Sequence, residues 1–360
     1  MTVEQSFLAL VRAGIGHPMG ELPETIEWDR VMALAEEHGL SAVVWDAVDS
    51  LVRQDALSGG RAISKQLMYD GFGSALSFEQ RYEQYRSAIS SLSSALSSGG
   101  IKTMVLKGYA LSLEWPKPEH RPCGDIDIWN FGRYRDADAL LAREYGVKVD
   151  DSHHHHTVFH WKGFSVENHY DIVNVHAHRS SAEMEKIFKG LAQDDSCSID
   201  VQGTRVYLPS ANFHALFLLR HAVSHFASTH LNLRQLLDWA FFVEKHNDEM
   251  DWQWLLGTLE RFHMTDFFNC LCHICVDDLG FERSIFHSGS VDHSLKERVL
   301  NDILKPEFQG KEPRGLLRRV LFKYHRWHSN AWKHRLCYKE GLLSSFFVSV
   351  WAHLLKPASI

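Results

Sequence analysis

The chain has 360 residues, enough for two or three domains at roughly 150 residues each, and its 45% hydrophobic content is ordinary for a globular protein. Lys and Arg number 38 against 45 Asp and Glu, a formal net charge of -7, which excludes a surface built as a whole for nucleic acid. The six cysteines read as reduced thiols and no signal peptide opens the chain, so a cytoplasmic setting is expected.

Residues 1–98 are expected to be helical. Leu8, Leu10 and Val11 begin an amphipathic segment, and Trp28, Val31, Met32, Leu34 and Ala35 carry helical spacing that Gly39 can end. A long helix is predicted from about Ser64 to Ser97, with Leu67, Tyr82, Tyr85, Ile89, Leu92 and Leu96 on one stripe. Ser97-Ser98-Gly99-Gly100 breaks it, and the pattern turns to β over Ile101–Leu106.

The next stretch carries the chemistry. An apolar run ends in Lys107-Gly108, and a second run with β character contains Asp125-Ile126-Asp127. Strand alternation puts Asp125 and Asp127 on one face, ~7 Å apart, and turns Ile126 and Ile128 toward a core. Adjacent carboxylates repel unless a cation or a shared proton relieves them. Oxygen ligands on a strand suit Mg²⁺, completed by waters and substrate phosphates. The plain alternative is a solvated Asp-x-Asp at a strand end. With both carboxylates facing solvent, Asp127→Asn is expected to leave the fold intact.

Tyr134–Tyr145 reads as a helix ending at Gly146, followed by a short strand at Val147–Val149. Val158–Trp161 and Phe164–Tyr170 flank Lys162-Gly163 as a tight hairpin. Along Val166–Ile172, alternation places Glu167, His169 and Asp171 on one face. A helix at Glu183–Leu191 precedes two short strands around Gln202-Gly203. From Ala211 the pattern is helical over Phe213–Phe226, Leu231–His246, Trp252–Phe262 and Asp266–Leu279. The expected division is 1–98, 99–210 and 211–360.

A strand ending in Lys-Gly, a short helix-like segment, then a strand with Asp-x-Asp resembles the layout of the DNA polymerase β-like nucleotidyltransferase superfamily. More closely, the sequence is similar to a bacterial nucleotidyltransferase-like family, through Leu106-Lys107-Gly108, Arg121, Asp125-Ile126-Asp127, and Glu167 with His169. The resemblance covers roughly residues 100–245 and so includes Arg234 and Asp238, spaced to pair on one helix.

The resemblance implies an α+β fold: a small mixed-sheet polymerase β-like core flanked by N-terminal and C-terminal helical regions. It implies transfer of a nucleoside monophosphate from an NTP to an unknown acceptor (a small molecule, a protein or an RNA end) with Mg²⁺ or Mn²⁺. Asp125, Asp127 and Glu167 are then the catalytic, metal-binding carboxylates, with Glu167 as general base and Asp171 as its substitute. Lys107, Gly108, Arg121 and His169 are then phosphate contacts. The alternatives are a surface salt bridge for Arg121 and a hydrogen-bonded structural role for His169. Where the superfamily has Gly followed by Ser, this chain has Gly108-Tyr109; Lys107 offers a point charge instead, and Ser112 a later hydroxyl.

Two other function classes compete. One is a catalytically inactive relative acting as a binding or regulatory module. The other is a metal hydrolase built on the His153–His156 run with His160, His176 and His178, although four consecutive strand residues cannot all face one metal. His221 and His225 share a helical face but lack the Glu of a zinc-peptidase motif. Cys272 and Cys275 lie in an apolar segment and read as core packing. The basic run from Lys311 to Arg335 reads as a solvated helix face. Gly341–Leu355, at about 15 residues, falls short of the roughly 20 a membrane span needs and reads as a packing helix.

Overall fold

The structure is a computed structural model, and it describes residues 2–175, 178–308, 310 and 313–341. Its contacts gather into two compact units: residues 2–78 with Leu218–Lys339, and Glu79–Phe217 with Glu340 and Gly341. His176, Lys311 and the apolar run after Gly341 lie outside the described residues.

The first unit is helical. Helix α1 (Val3–Gly14) opens with a capping box in which Thr2 and Gln5 satisfy each other's backbone amides. It packs with α2 (Trp28–Glu37) and with α3 (Ser41–Arg53). The sequence reading placed α3 within a helical region without singling it out. Its Val43-Val44-Trp45 run has β character, but burial of Val43, Val44, Ala47, Val48 and Leu51 at helical spacing overrides that propensity. Helix α4 (Lys65–Ser98) begins in this unit and ends in the second.

The second unit is built on one six-stranded mixed sheet, ordered β3-β4-β2-β1-β6-β5. Its elements follow in the chain as β1 (Met104–Val105), α5 (Lys107–Ser112), β2 (Ile126–Trp129), α6 (Tyr134–Tyr145), β3 (His156–Trp161), β4 (Phe164–His169), α7 (Ser181–Leu191), β5 (Ser198–Val201) and β6 (Thr204–Tyr207). The β3–β4 hairpin turns on Lys162 and Gly163, both at positive φ (45° and 83°), as a two-residue primed turn requires. Gln202-Gly203 repeats the device between β5 and β6. The α+β architecture with flanking helices is therefore as expected.

Two strand expectations change. The strand at Ile101–Leu106 shrinks to Met104–Val105, because Leu106 already leads into α5. Val147–Val149 forms no strand; only Asp150 bridges, to Val158.

One face of the sheet presents Ile126, Ile128, Val166 and Val206 to Tyr85, Ile89, Leu92 and Leu96 of α4 and to Leu141 of α6. Full burial of such a side chain contributes roughly 1.5–3 kcal/mol, so this layer fixes the register of β2. The opposite face carries Asp127, Trp129, Glu167 and His169. There the Trp129 indole N–H donates to the Ala192 carbonyl (3.2 Å) just after α7, and Phe188 packs on Phe213 and Phe217.

The chain continues in α8 (Ala211–Ser228), α9 (Leu233–His246), α10 (Trp252–Arg261), α11 (Thr265–Asp277), α12 (His293–Leu304), α13 (Leu316–Ser329) and α14 (Ala331–Cys337). Cys270, Cys272 and Cys275 are buried in α11, and burial pushes the Cys270 thiol up to about 12, which fits packing rather than ligation. Arg314, just before α13, and Arg318, Arg319 and Lys323 on it are exposed. Lys333 departs from that solvated face: it is fully buried on Asp302 at 2.5 Å.

Candidate active site

Parallel pairing of β2 with β4 sets Asp127 beside Glu167 and Trp129 beside His169. Asp127 is 1% exposed. Its Oδ1 accepts from Lys107 Nζ at 2.7 Å and from His169 Nε2 at 2.9 Å. Glu167 Oε2 lies 3.5 Å from that His169 nitrogen and 3.8 Å from His156 Nδ1. The expectation that Asp127 faces solvent is corrected here. Alternation gives the face of the sheet, and the start of α5 and the end of β4 then bring two cations over the carboxylate. Asp125 stands one residue before β2 and is exposed.

His169 has two acceptor-only partners, the Asp127 carboxylate at Nε2 and the Asp171 carbonyl at Nδ1 (3.2 Å). Both ring nitrogens therefore donate, and the imidazole is cationic. Burial works against that charge, but the hydrogen bonds to Asp127 and Glu167 outweigh it and raise the His169 pKa to about 9. Burial likewise opposes ionisation of Asp127; Lys107 and then His169 prevail and hold its carboxyl well below the usual range. Burial also opposes the Lys107 ammonium, and Asp127 and Glu167 hold it above its ordinary value. The Asp125 carboxyl is pushed up, by desolvation and then by the charges of Asp127 and Glu167. Three carboxylates against two fixed cations leave a negative surplus at its exposed side.

Gly108 has a steric reason. A Cβ there would lie 2.5 Å from the Tyr85 hydroxyl, which crosses the glycine to donate to the Asp125 carbonyl at 2.5 Å. Lys107 itself adopts a left-handed φ of 41°, unusual for a side-chain-bearing residue and found where surrounding contacts enforce it. Arg121 is buried, which removes the surface salt-bridge reading; its Nη1 donates to the Gly108 carbonyl at 3.0 Å. Ser112 does not serve as a late hydroxyl in the site. It is fully buried, donates to the Tyr109 carbonyl and meets the Tyr82 hydroxyl. Asp171 falls beyond the end of β4 and pairs with Lys189.

Sequence reasoning missed Tyr85 as a positioning residue; it belongs to the apolar stripe of α4, and nothing local marks its hydroxyl. It also missed how His155 and His156 meet His169. Among the described residues, two groups offer ligand atoms all within 4.8 Å of one another: Asp127, Glu167 and His169, and His155, His156 and His169.

The profile of the family described as "Uncharacterised nucleotidyltransferase" matches residues 24–280. The chain belongs to this family. No curated protein matches. Among solved structures, the chain is similar to an antigenic nucleotidyltransferase-like protein from Paracoccidioides brasiliensis, at 15% identity and a TM-score of 0.35 over 56% of this chain and 96% of that one. No helix among the described residues is long and apolar enough to cross a membrane.

Proposed function

We propose that the chain is a bacterial, cytoplasmic nucleotidyltransferase of the polymerase β-like type, moving a nucleoside monophosphate from an NTP to an acceptor hydroxyl. The observation that carries this reading is the placement of Asp127 and Glu167 side by side on parallel strands, with Asp125 at the mouth and Lys107 on Asp127. The nucleotidyltransferase-like part is assigned to residues 99–210.

The donor set fits a hard divalent cation: carboxylate oxygens with a negative surplus at an exposed edge. Asp125, Asp127 and Glu167 are the residues assigned to hold Mg²⁺ or Mn²⁺. When bound, such an ion neutralises charge on the transferring phosphoryl group and its leaving pyrophosphate. Lys107, at the opening of α5, supplies a fixed positive charge for a phosphate oxygen. Arg121 braces the Gly108 carbonyl and so holds the lysine's loop. His169 keeps Asp127 and Glu167 ionised, and Glu167 is assigned to take the proton of the acceptor hydroxyl.

The burial of Asp127 under Lys107 and His169 favours a second reading, a catalytically inactive relative that binds nucleotide without turnover. The two separate on incubation with each labelled NTP, Mg²⁺ and a heat-treated cell extract as acceptor source. Pyrophosphate with a labelled product supports the enzyme. Binding without pyrophosphate supports the inactive relative.

A further inference from the structure

The histidine run meets the sheet in a way its sequence does not convey. His156 is the last cross-strand partner of His169 in the β3–β4 ladder. The His155 ring lies 4.3 Å from that of His156 and 5.7 Å from that of His169, centroid to centroid. One nitrogen of each comes within 4.8 Å of the others. His155 Nδ1 and His156 Nδ1 are buried and have no hydrogen-bond partner among the described residues, and the His156 residue is only 6% exposed. Buried imidazole nitrogens without partners are rare unless something else occupies their lone pairs.

We propose that His155, His156 and His169 form a binding site for a borderline divalent metal of the zinc class. Donor atoms around a tetrahedral ion with bonds of ~2.0–2.1 Å stand about 3.3 Å apart. The three imidazole nitrogens, within 4.8 Å of one another, must draw in by more than an ångström at the widest to reach that spacing, and Glu167 Oε2 stands beside them, 3.5 Å from His169 Nε2 and 3.8 Å from His156 Nδ1. The Nδ1–H of His169 keeps its bond to the Asp171 carbonyl, which is how a metal-ligating histidine is usually oriented. On binding, His169 Nε2 releases its proton and its hydrogen bond to Asp127, and Lys107 remains as that carboxylate's partner. Three imidazoles select a softer ion than the carboxylate set at Asp125. The histidine set takes His169 away from Asp127 and Glu167, so the zinc-class ion opposes use of the carboxylate set. This last consequence rests on the nucleotidyl-transfer reading; the site itself does not.

Cobalt(II) tests the site without any assay of turnover. Added to the full-length protein, Co²⁺ is expected to give an intense visible ligand-field band of a tetrahedral centre at one equivalent, displaced by one equivalent of Zn²⁺. The band is expected to be lost in His155→Ala/His156→Ala and in the milder His155→Asn/His156→Asn, either of which serves if it folds. It is expected to persist in Asp125→Asn. Only the weak absorption of octahedral Co²⁺ in the wild-type protein overturns the proposal, as does a tetrahedral band that survives loss of both histidines. Failure of Zn²⁺ to suppress nucleotidyl transfer, with the band intact, overturns only the coupling between the two sets.

Discussion

Lys107 Nζ lies 2.7 Å from Oδ1 of Asp127, a carboxylate that is nearly sealed from solvent and that also accepts from His169 at 2.9 Å. The strand residue that sequence pattern marks as a metal ligand is thus also the counter-ion of a buried imidazolium and a half-buried ammonium. Breaking such a buried arrangement from one side commonly costs 3–5 kcal/mol, because the partners are left uncompensated (an order-of-magnitude range). Asp127→Asn is therefore predicted to destabilise the fold by about 3 kcal/mol or more. Asp125→Asn, at an exposed position, is predicted to change stability by no more than about 0.5 kcal/mol. Urea denaturation of both variants checks the contrast; equal, small effects would show that Asp127 is not holding Lys107 and His169.

The pH dependence follows from His169. Its folded pKa, about 9, lies above the ordinary 6.5. Its contribution is fully present below about pH 6.5 and is lost as pH rises through about 9. A shift of that size corresponds to on the order of 3 kcal/mol. Stability is predicted to fall between pH 7 and 9.5 in the wild-type chain, and less so in His169→Gln. An imidazole resonance for His169 that titrates near 6.5 by NMR would contradict this.

Much of the fold was legible because local signals agreed with one another. Lys162-Gly163 and Gln202-Gly203 marked two hairpins, and Gly146 ended α6 with φ of 66°. The alternation of Ile126 and Ile128 with Asp127 gave the correct face. What the pattern could not give was what covers that face. The burial of Asp127, of Arg121 and of Ser112 depends on elements distant in sequence, as does the encounter of His155 and His156 with His169. Helix α3 was legible only as part of a helical region, because the β-branched Val43, Val44 and Val48 blur its own periodicity, a case where packing overrides propensity.

Tyr85 and Gly108 are predicted to be coupled. Gly108→Ala forces a Cβ to within 2.5 Å of the Tyr85 hydroxyl, an overpacking expected to cost ~1–3 kcal/mol. Tyr85→Phe loses the hydrogen bond to the Asp125 carbonyl, about 1 kcal/mol. In the double variant the hydroxyl is absent, so its cost is predicted to be well below the sum of the two. Additive costs in a double-mutant cycle would mean that the clash is relieved elsewhere.

Arg121→Lys is predicted to loosen the Lys107-Gly108 loop rather than to act by loss of charge, since the guanidinium donates to the Gly108 carbonyl. NTP affinity is expected to weaken together with faster amide exchange at Gly108 and Tyr109. Weaker binding with unchanged exchange would instead place Arg121 on the phosphates themselves.

The most direct test of nucleotidyl transfer is pyrophosphate release from each NTP with Mg²⁺ and an acceptor extract, comparing wild type with Asp125→Asn. The comparison is informative because that variant is expected to fold normally. Pyrophosphate from at least one NTP with the wild-type chain, reduced ~10²-fold or more in Asp125→Asn, is the predicted result. Equal release from both folded proteins, or none from the wild type with any NTP, would contradict transfer at these carboxylates.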